Sequence, residues 1–352
     1  MNTKIVRYIL CRMLGVEAAL LLVPVLVAVI YQEKCGIVFL IPIVILCLLF
    51  LVAGRKRPEH GQIYGKEGMV IVALAWILWS LFGAMPFTLS GYIPSYVDAF
   101  FETVSGFTTT GSSIIPDVEV LPHCLLFWRS FTHWIGGMGV LVFVLVVTSL
   151  DRKNSMHLMR AEVPGPEKDK LVPKAMSTAR ILYGMYLTLT VIEMVFLVIG
   201  GMNLFDSMIF SFGSAGTGGF SNYADSVAHF NSAYIDGVIT VFCALFGVNF
   251  ALFYFMILGD FKSILKNEEL RTYILLIAGA TAAIMLNIHS LYPTIGKSFR
   301  YAVFQVVTVI TTTGYSTADF AQWPMFSKAV LMMLTVMLQK RLSALLVVKV
   351  LM

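Results

Sequence analysis

Charge is what this sequence has least of. Only 13% of its 352 residues are Asp, Glu, Lys or Arg, about half the share found in a soluble domain, which excludes an ordinary water-soluble fold. Lys and Arg are absent from Ser90–Phe127 and from Gly201–Tyr234. The charges left there are acidic: Asp98, Glu102, Asp117 and Glu119 in the first segment, Asp206 and Asp225 in the second. Cysteine is sparse as well. Cys11, Cys35, Cys47, Cys124 and Cys243 make no CxxC pair and no metal-ligand spacing, so they read as small apolar packers. There is no HExxH, no nucleophile motif and no pair of intramembrane His, Asp or Glu ligands. Nothing therefore indicates an enzyme, a covalently bound cofactor or nucleic-acid binding. The first apolar run lacks a small-residue cleavage pattern and reads as a retained helix.

What the chain has in excess is apolar surface, 58% of its residues. Eight runs are candidates to span a bilayer: Ile5–Ile30, Ile37–Ala53, Met69–Leu89, Leu125–Leu150, Ile181–Gly201, Ala233–Leu258, Thr272–Ser290 and Phe326–Leu338. Basic residues cluster on alternate sides of them. Lys4, Arg7 and Arg12 open the first run; Arg55, Lys56, Arg57 and Lys66 follow the second. Arg152 to Arg180 fill the linker after the fourth, and Lys262, Lys266 and Arg271 follow the sixth. By the positive-inside rule these sides are cytoplasmic, so the amino terminus of a multi-pass membrane protein is expected inside. The acidic segments then face outward, where they concentrate cations.

Three threonine-glycine stretches lie on that outer side: Thr108-Thr109-Thr110-Gly111-Ser112, Thr217-Gly218-Gly219-Phe220 and Thr311-Thr312-Thr313-Gly314-Tyr315. β-Branched and glycine-rich, they are poor helices. Non-helical backbone at membrane depth is tolerated only inside protein or along a wet cavity, and rings of such loops coordinate ions through backbone oxygens. The expected ion-coordinating residues are Thr109, Thr110, Gly111, Ser112, Thr217, Gly218, Gly219, Phe220, Thr312, Thr313, Gly314 and Tyr315, with potassium as the transported ion and sodium or rubidium as secondary ones. Each loop follows a short amphipathic stretch, Ala99–Phe107, Ser207–Ala215 or Ala302–Ile310, expected as a re-entrant helix whose negative dipole end faces a cation.

The chain therefore reads as an all-α integral membrane protein built from repeats of helix, pore helix, filter loop and helix. Residues 1–66 form an extra amino-terminal hairpin. Pore unit 1 covers 67–150, a basic linker 151–179, pore unit 2 180–262, and an incomplete pore unit 3 263–338. Such units enclose an ion around a pseudo-fourfold axis. Three are present, and the spacing places a fourth beyond Met352.

Phe100–Ser112, Trp128–Gly139, Gly216–Ser221, Gly247–Leu252 and Thr312–Thr317 resemble the Trk-type membrane subunit of the Trk/Ktr/HKT potassium-uptake superfamily. The resemblance implies four non-identical pore units with one filter glycine each, of which Gly111, Gly219 and Gly314 match three. It also implies a homodimer with one pore per protomer in a bacterial-type inner (plasma) membrane, and a cytoplasmic NAD- or ATP-binding regulatory subunit docked below. The basic linker is expected to meet that subunit or anionic lipid. The last residues depart from the family. Where a glycine-serine-threonine-rich break is expected, the chain reads Gln339-Lys340-Arg341 and then Leu342–Met352. One codon string for Leu342–Val348, shifted by one base, would encode Val-Gly-Ser-Thr-Gly-Gly, so 339–352 is expected to be a frameshifted tail. The alternative function is then a non-conducting fragment without the fourth unit.

Single residues carry further expectations. Arg129 either snorkels or pins a pore helix through Glu102 or Asp98. His133 is expected to be structural, and Gly136, Gly137 and Gly139 to allow close helix packing. Asn249 either faces the pore or bonds another helix. Glu17 and Glu193 sit within apolar runs without an assigned partner.

Overall fold

The computed structural model describes residues 2–55, 65–139, 175–257 and 259–336. Among them every regular element is a helix. Five helical stretches are long and apolar enough to cross a membrane: Thr3–Ile30, Lys34–Gly54, Glu67–Leu89, Ile181–Ile199 and Glu268–Leu291. Ala233–Phe246 and Met325–Val336 are shorter apolar helices. Two compact units divide the chain, Met1–Ile181 and Leu182–Met352. The linker 151–174 and the tail 339–352 lie outside the described residues.

In the first unit, α1 (Thr3–Leu20) and α2 (Leu22–Ile30) share one apolar run that bends at Leu21. Pro24 has no N–H to offer the Leu20 carbonyl, so the ladder breaks there. A 3-10 turn at Lys34–Phe39 leads into α3 (Leu40–Leu49). Next come α4 (Gly65–Leu89), α5 (Tyr96–Phe107) and α6 (His123–Gly137). The core of this unit is aromatic. Phe107 lies edge-on to Trp79 at 5.5 Å and to Trp128 at 6.0 Å, and the Trp128 indole donates to the Gly83 carbonyl at 2.9 Å. Such rings bury large areas and pair favourably edge to face, so they seat α5 between α4 and α6.

Glu33 fastens the amino-terminal hairpin. Its carboxylate accepts the first backbone N–H groups of α6, from His123 at 2.7 Å and Cys124 at 3.0 Å. Those donors have no partner within the helix, and the positive helix end favours a carboxylate. Tyr31 stacks on the His123 ring at 4.0 Å. Partial burial pushes the Glu33 carboxyl up, but the bonds from Cys124 and His123 outweigh it and hold the group below its ordinary value.

In the second unit, α7 (Ala175–Ile199) leads to α8 (Leu204–Ala215), α9 (Ala233–Phe246), α10 (Phe250–Ile257) and α11 (Phe261–Lys266). Then follow α12 (Glu268–Ile288), α13 (Ile295–Ile310) and α14 (Met325–Val336). One buried cluster joins Leu197, Phe210, Ile239, Cys243, Phe304, Val307 and Tyr315, so α7, α8, α9 and α13 share a core. A second holds Ile284, Ile288, Val306, Ile310, Trp323 and Leu331, tying α12, α13 and α14 together.

Two apolar runs are not the continuous spans their composition predicts. Ala233–Leu258 stops at Phe246 and resumes at Phe250. A side chain at Gly247 would lie 2.7 Å from both the Thr311 methyl and the Tyr273 hydroxyl, and that hydroxyl donates to the Ala244 carbonyl at 3.1 Å, taking one of the helix's terminal acceptors. Leu125–Leu150 is helical only to Gly137 within the described residues, where a run of glycines weakens helix formation. The two helices end at 137 − 111 = 26 and 246 − 219 = 27 residues past their filter glycines, so the break belongs to the repeat.

Candidate functional site

The three threonine-glycine loops are built from three capped helices. Ser95, Asn203 and Thr294 cap α5, α8 and α13, each accepting the N–H three residues on. The helices begin earlier than the amphipathic stretches suggest, yet end at the expected Phe107, Ala215 and Ile310. α13 is 16 residues long against 12 for the other two, one extra turn at its outer end.

Past each end the backbone repeats an unusual conformation. Thr109, Thr217 and Thr312 have φ of 55°, 53° and 60°. Two residues later Gly111, Gly219 and Gly314 have φ of 77°, 75° and 78°. Glycine takes such values freely, but a β-branched residue there is strained by about 1–2 kcal/mol. A helix ordinarily ends on glycine at this position. The intervening Thr110, Gly218 and Thr313 are not left-handed, so the hand alternates along each loop.

The amides turn inward. Thr109 N–H donates to Gly106 at 3.0 Å and Thr110 N–H to Ser105 at 2.9 Å; Thr217 donates to Ser214 at 3.1 Å and Gly218 to Gly213 at 3.0 Å. These are the paired bonds of a Schellman ending. The third loop keeps the bond from Thr312 to Val309 at 3.1 Å, but Gly314, not Thr313, reaches back to Thr308. Among the described residues no hydrogen bond reaches the carbonyls of Thr109, Thr110, Gly111, Thr217, Gly218, Gly219, Thr313 or Gly314.

Hydroxyls mark loops 1 and 3. Thr108 donates to the Val104 carbonyl at 2.7 Å and so receives the Thr110 hydroxyl proton at 2.8 Å. Thr311 donates to Val307 and receives that of Thr313, both at 2.8 Å. The protons of Thr110 and Thr313 are thus committed, and their oxygens stay free to accept. Loop 2 has Gly216 and Gly218 at these places and no such relay.

A family model described as TrkH, cation transport protein, matches residues 36–338. This chain belongs to that family. It is 34% identical over 320 residues to the Trk system potassium uptake protein TrkH of Escherichia coli strain K12, covering 89% of this chain and 66% of that protein's length. It is 31% identical over 301 residues to an uncharacterized cation transporter of Methanocaldococcus jannaschii, covering 85% and 60%. The crystal structure of the potassium transporter TrkH from Vibrio parahaemolyticus superposes with a TM-score of 0.83 at 30% identity, over 95% of this chain and 70% of that one. Family membership and the five long apolar helices make this a multi-pass membrane protein.

Each loop of this family member is clamped to its pore helix by a different residue. In the first, Glu102 on α5 accepts from Ser113 Oγ at 3.0 Å, Ile114 N–H at 2.9 Å and Arg129 Nε of α6 at 2.6 Å. Arg129 therefore pins α5 through Glu102, the second of its two expected roles. In the second, Asp206 accepts from Asn222 at 2.5 Å and the Tyr223 hydroxyl at 2.9 Å. In the third, Thr308 donates to the Tyr315 carbonyl at 3.0 Å. Gly136 is required by close approach, since a Cβ there would overlap the Phe107 carbonyl.

Loops 2 and 3 meet directly. A Cβ on Gly219 would overlap the Thr313 carbonyl. Tyr315 is fully buried, and its hydroxyl lies 3.0 Å from the Phe210 carbonyl and 3.4 Å from that of Phe220. Gly213 leaves the space for it. The carbonyls of Phe220 and Tyr315 are therefore already bonded to protein donors, unlike those of the preceding residues. Asn249 donates to Glu269 on α12 at 3.4 Å. Sequence reasoning missed Tyr315 as a wedge and Arg300, whose Nε donates to the buried Asp236 of α9 at 2.6 Å. Only the rarity of charge within apolar runs pointed to the latter pair.

Proposed function

We propose that this protein takes up a potassium-type monovalent cation through a channel-like path. The backbone carbonyls of Thr109–Gly111, Thr217–Gly219 and Thr312–Gly314 replace the ion's water. The observation that carries this is the threefold recurrence of a left-handed threonine two residues before a left-handed glycine, with amides spent on the pore helix and carbonyls left over. Strain repeated in register at a β-branched residue persists only where function holds it. Ser112, Phe220 and Tyr315 flank that set and shape it, in a four-sided filter of which these loops supply three sides. The helix carboxyl ends add negative potential. The membrane potential supplies the drive, about 2.3 kcal/mol per charge for 100 mV. The names of the relatives, potassium uptake protein and cation transporter, support this substrate class. The same reading places the amino terminus in the cytoplasm, pairs the chain as a homodimer, and gives a nucleotide-binding regulatory subunit the cytoplasmic face. Radioactive rubidium uptake into potassium-loaded liposomes tests it: saturable uptake that potassium suppresses better than sodium is expected, and uptake indifferent to both ions would refute it.

A further inference from the structure

The third pore helix begins with the wrong charge for a cation path. α5 and α8 each carry an acid in the first turn, Asp98 and Asp206, whereas α13 carries none. Counted back from the filter glycines, 111 − 98, 219 − 206 and 314 − 301 all equal 13, so Tyr301 stands where the other two helices hold a carboxylate. Beside it is Arg300, and one turn earlier the exposed Lys297. The missing carboxylate comes from another helix. Arg300 Nε donates to Asp236 Oδ2 of α9 at 2.6 Å, with the Arg300 side chain 20% and that of Asp236 2% exposed. Further along the same seam, Ile235, Ile239 and Cys243 of α9 share a buried cluster with Phe304, Val307 and Tyr315. The guanidinium also lies over the Tyr301 ring at 5.4 Å. Tyr301 packs on Tyr292, whose hydroxyl accepts the Trp323 indole N–H at 2.9 Å. Arg300 is thus held between α9 and the aromatic side of α13. Water and salt screen such a charge less than they screen Lys297. It sits 310 − 300 = 10 residues before the end of α13, about 15 Å from the start of loop 3.

We propose that Asp236 serves as the carboxylate of the third pore helix, supplied from α9, and cancels Arg300 so that the outer entrance keeps its attraction for cations. It acts through Arg300 and touches no ion, so it is a positioning residue. The proposal rests on the transport reading, and two measurements separate their failures. The first needs no transport. A cysteine is placed at Gly296, where an added side chain meets open space. Purified protein is labelled there with a cationic and an anionic methanethiosulfonate, and both rates are read by mass spectrometry. D236N keeps an acceptor for Arg300 but leaves its charge unpaired. The cationic-to-anionic rate ratio should fall about fivefold in G296C/D236N, the Coulomb effect of one charge near a protein surface. It should return in G296C/D236N/R300Q, and a ratio that D236N leaves unchanged overturns the proposal. The second measurement is rubidium uptake into liposomes. At about 10 mM ionic strength the screening length is about 30 Å, longer than the path from Arg300 to loop 3. There D236N should raise the half-saturating rubidium concentration about fivefold and keep the maximal rate, and D236N/R300Q should restore the wild-type value. In about 1 M of an impermeant salt the screening length is about 3 Å, and the difference should vanish. A D236N loss equal at both salt concentrations or confined to the maximal rate, or a folded double variant that does not recover, overturns the proposal. A wild type without uptake refutes the transport reading and the entry role with it, while the labelling ratio still decides whether Asp236 cancels Arg300.

Discussion

The clamp of Glu102 and Arg129 gives the sharpest quantitative test. The pair is 2.6 Å apart, with side chains 0% and 3% exposed. Removing one partner of a buried pair leaves a charge without compensation and costs about 3–5 kcal/mol, whereas replacing both by neutral groups of similar volume is close to neutral. In R129M, Glu102 keeps Ser113 Oγ and the Ile114 N–H, so the expected loss lies at the lower end, about 3 kcal/mol or two decades in the folded-to-unfolded ratio. E102Q removes the carboxylate charge that Arg129 Nε meets and also loosens residues 113–114, so it should cost at least as much. The double variant R129M/E102Q should return to within about 1 kcal/mol of wild type. Reversible unfolding in mixed micelles of sodium dodecyl sulfate measures all four corners of the cycle. Single losses that simply add, within about 0.5 kcal/mol, would show that the two side chains are not coupled and would refute the reasoning.

Further expectations follow from the loops. Tyr315→Phe removes a donor from two buried carbonyls, those of Phe210 and Phe220; it should cost about 1–3 kcal/mol and narrow the gap between potassium and sodium flux. Thr217→Gly relieves left-handed strain at φ 53°. It should leave stability unchanged or raise it by up to about 1 kcal/mol, and a loss above that in thermal unfolding would contradict the assigned strain. Gly219→Ala drives a methyl into the Thr313 carbonyl, so flux should fall while insertion persists. Glu33 has its carboxyl held low by its bonds to α6. Its contribution is therefore present above the ordinary carboxylate value, about 4.3, and is lost as pH falls through the lower folded value. Hydrogen exchange at the α6 amides of His123 and Cys124 should rise in that acid window, and E33Q should abolish the dependence.

Much of the organisation was legible because a bilayer imposes simple rules. Apolar runs, basic clusters on alternate sides and the spacing of Gly111, Gly219 and Gly314 are one-dimensional signals. The pore-helix carboxyl ends at Phe107, Ala215 and Ile310 followed from the same register. The starts of those helices were less legible, because capping at Ser95, Asn203 and Thr294 is a choice among several polar residues. The breaks after Gly137 and Phe246 were less legible, because each lies inside a run long and apolar enough on average to read as one continuous span.

The linear order of residues by itself determined that the chain enters a membrane, that a unit recurs, and that a threonine precedes each filter glycine by two. Only the tertiary structure decided which carboxylate receives Arg129, where the Tyr315 hydroxyl goes and that Glu193 is fully buried. Those outcomes depend on which helices become neighbours, and a residue's neighbours across space leave no mark on its spacing along the chain.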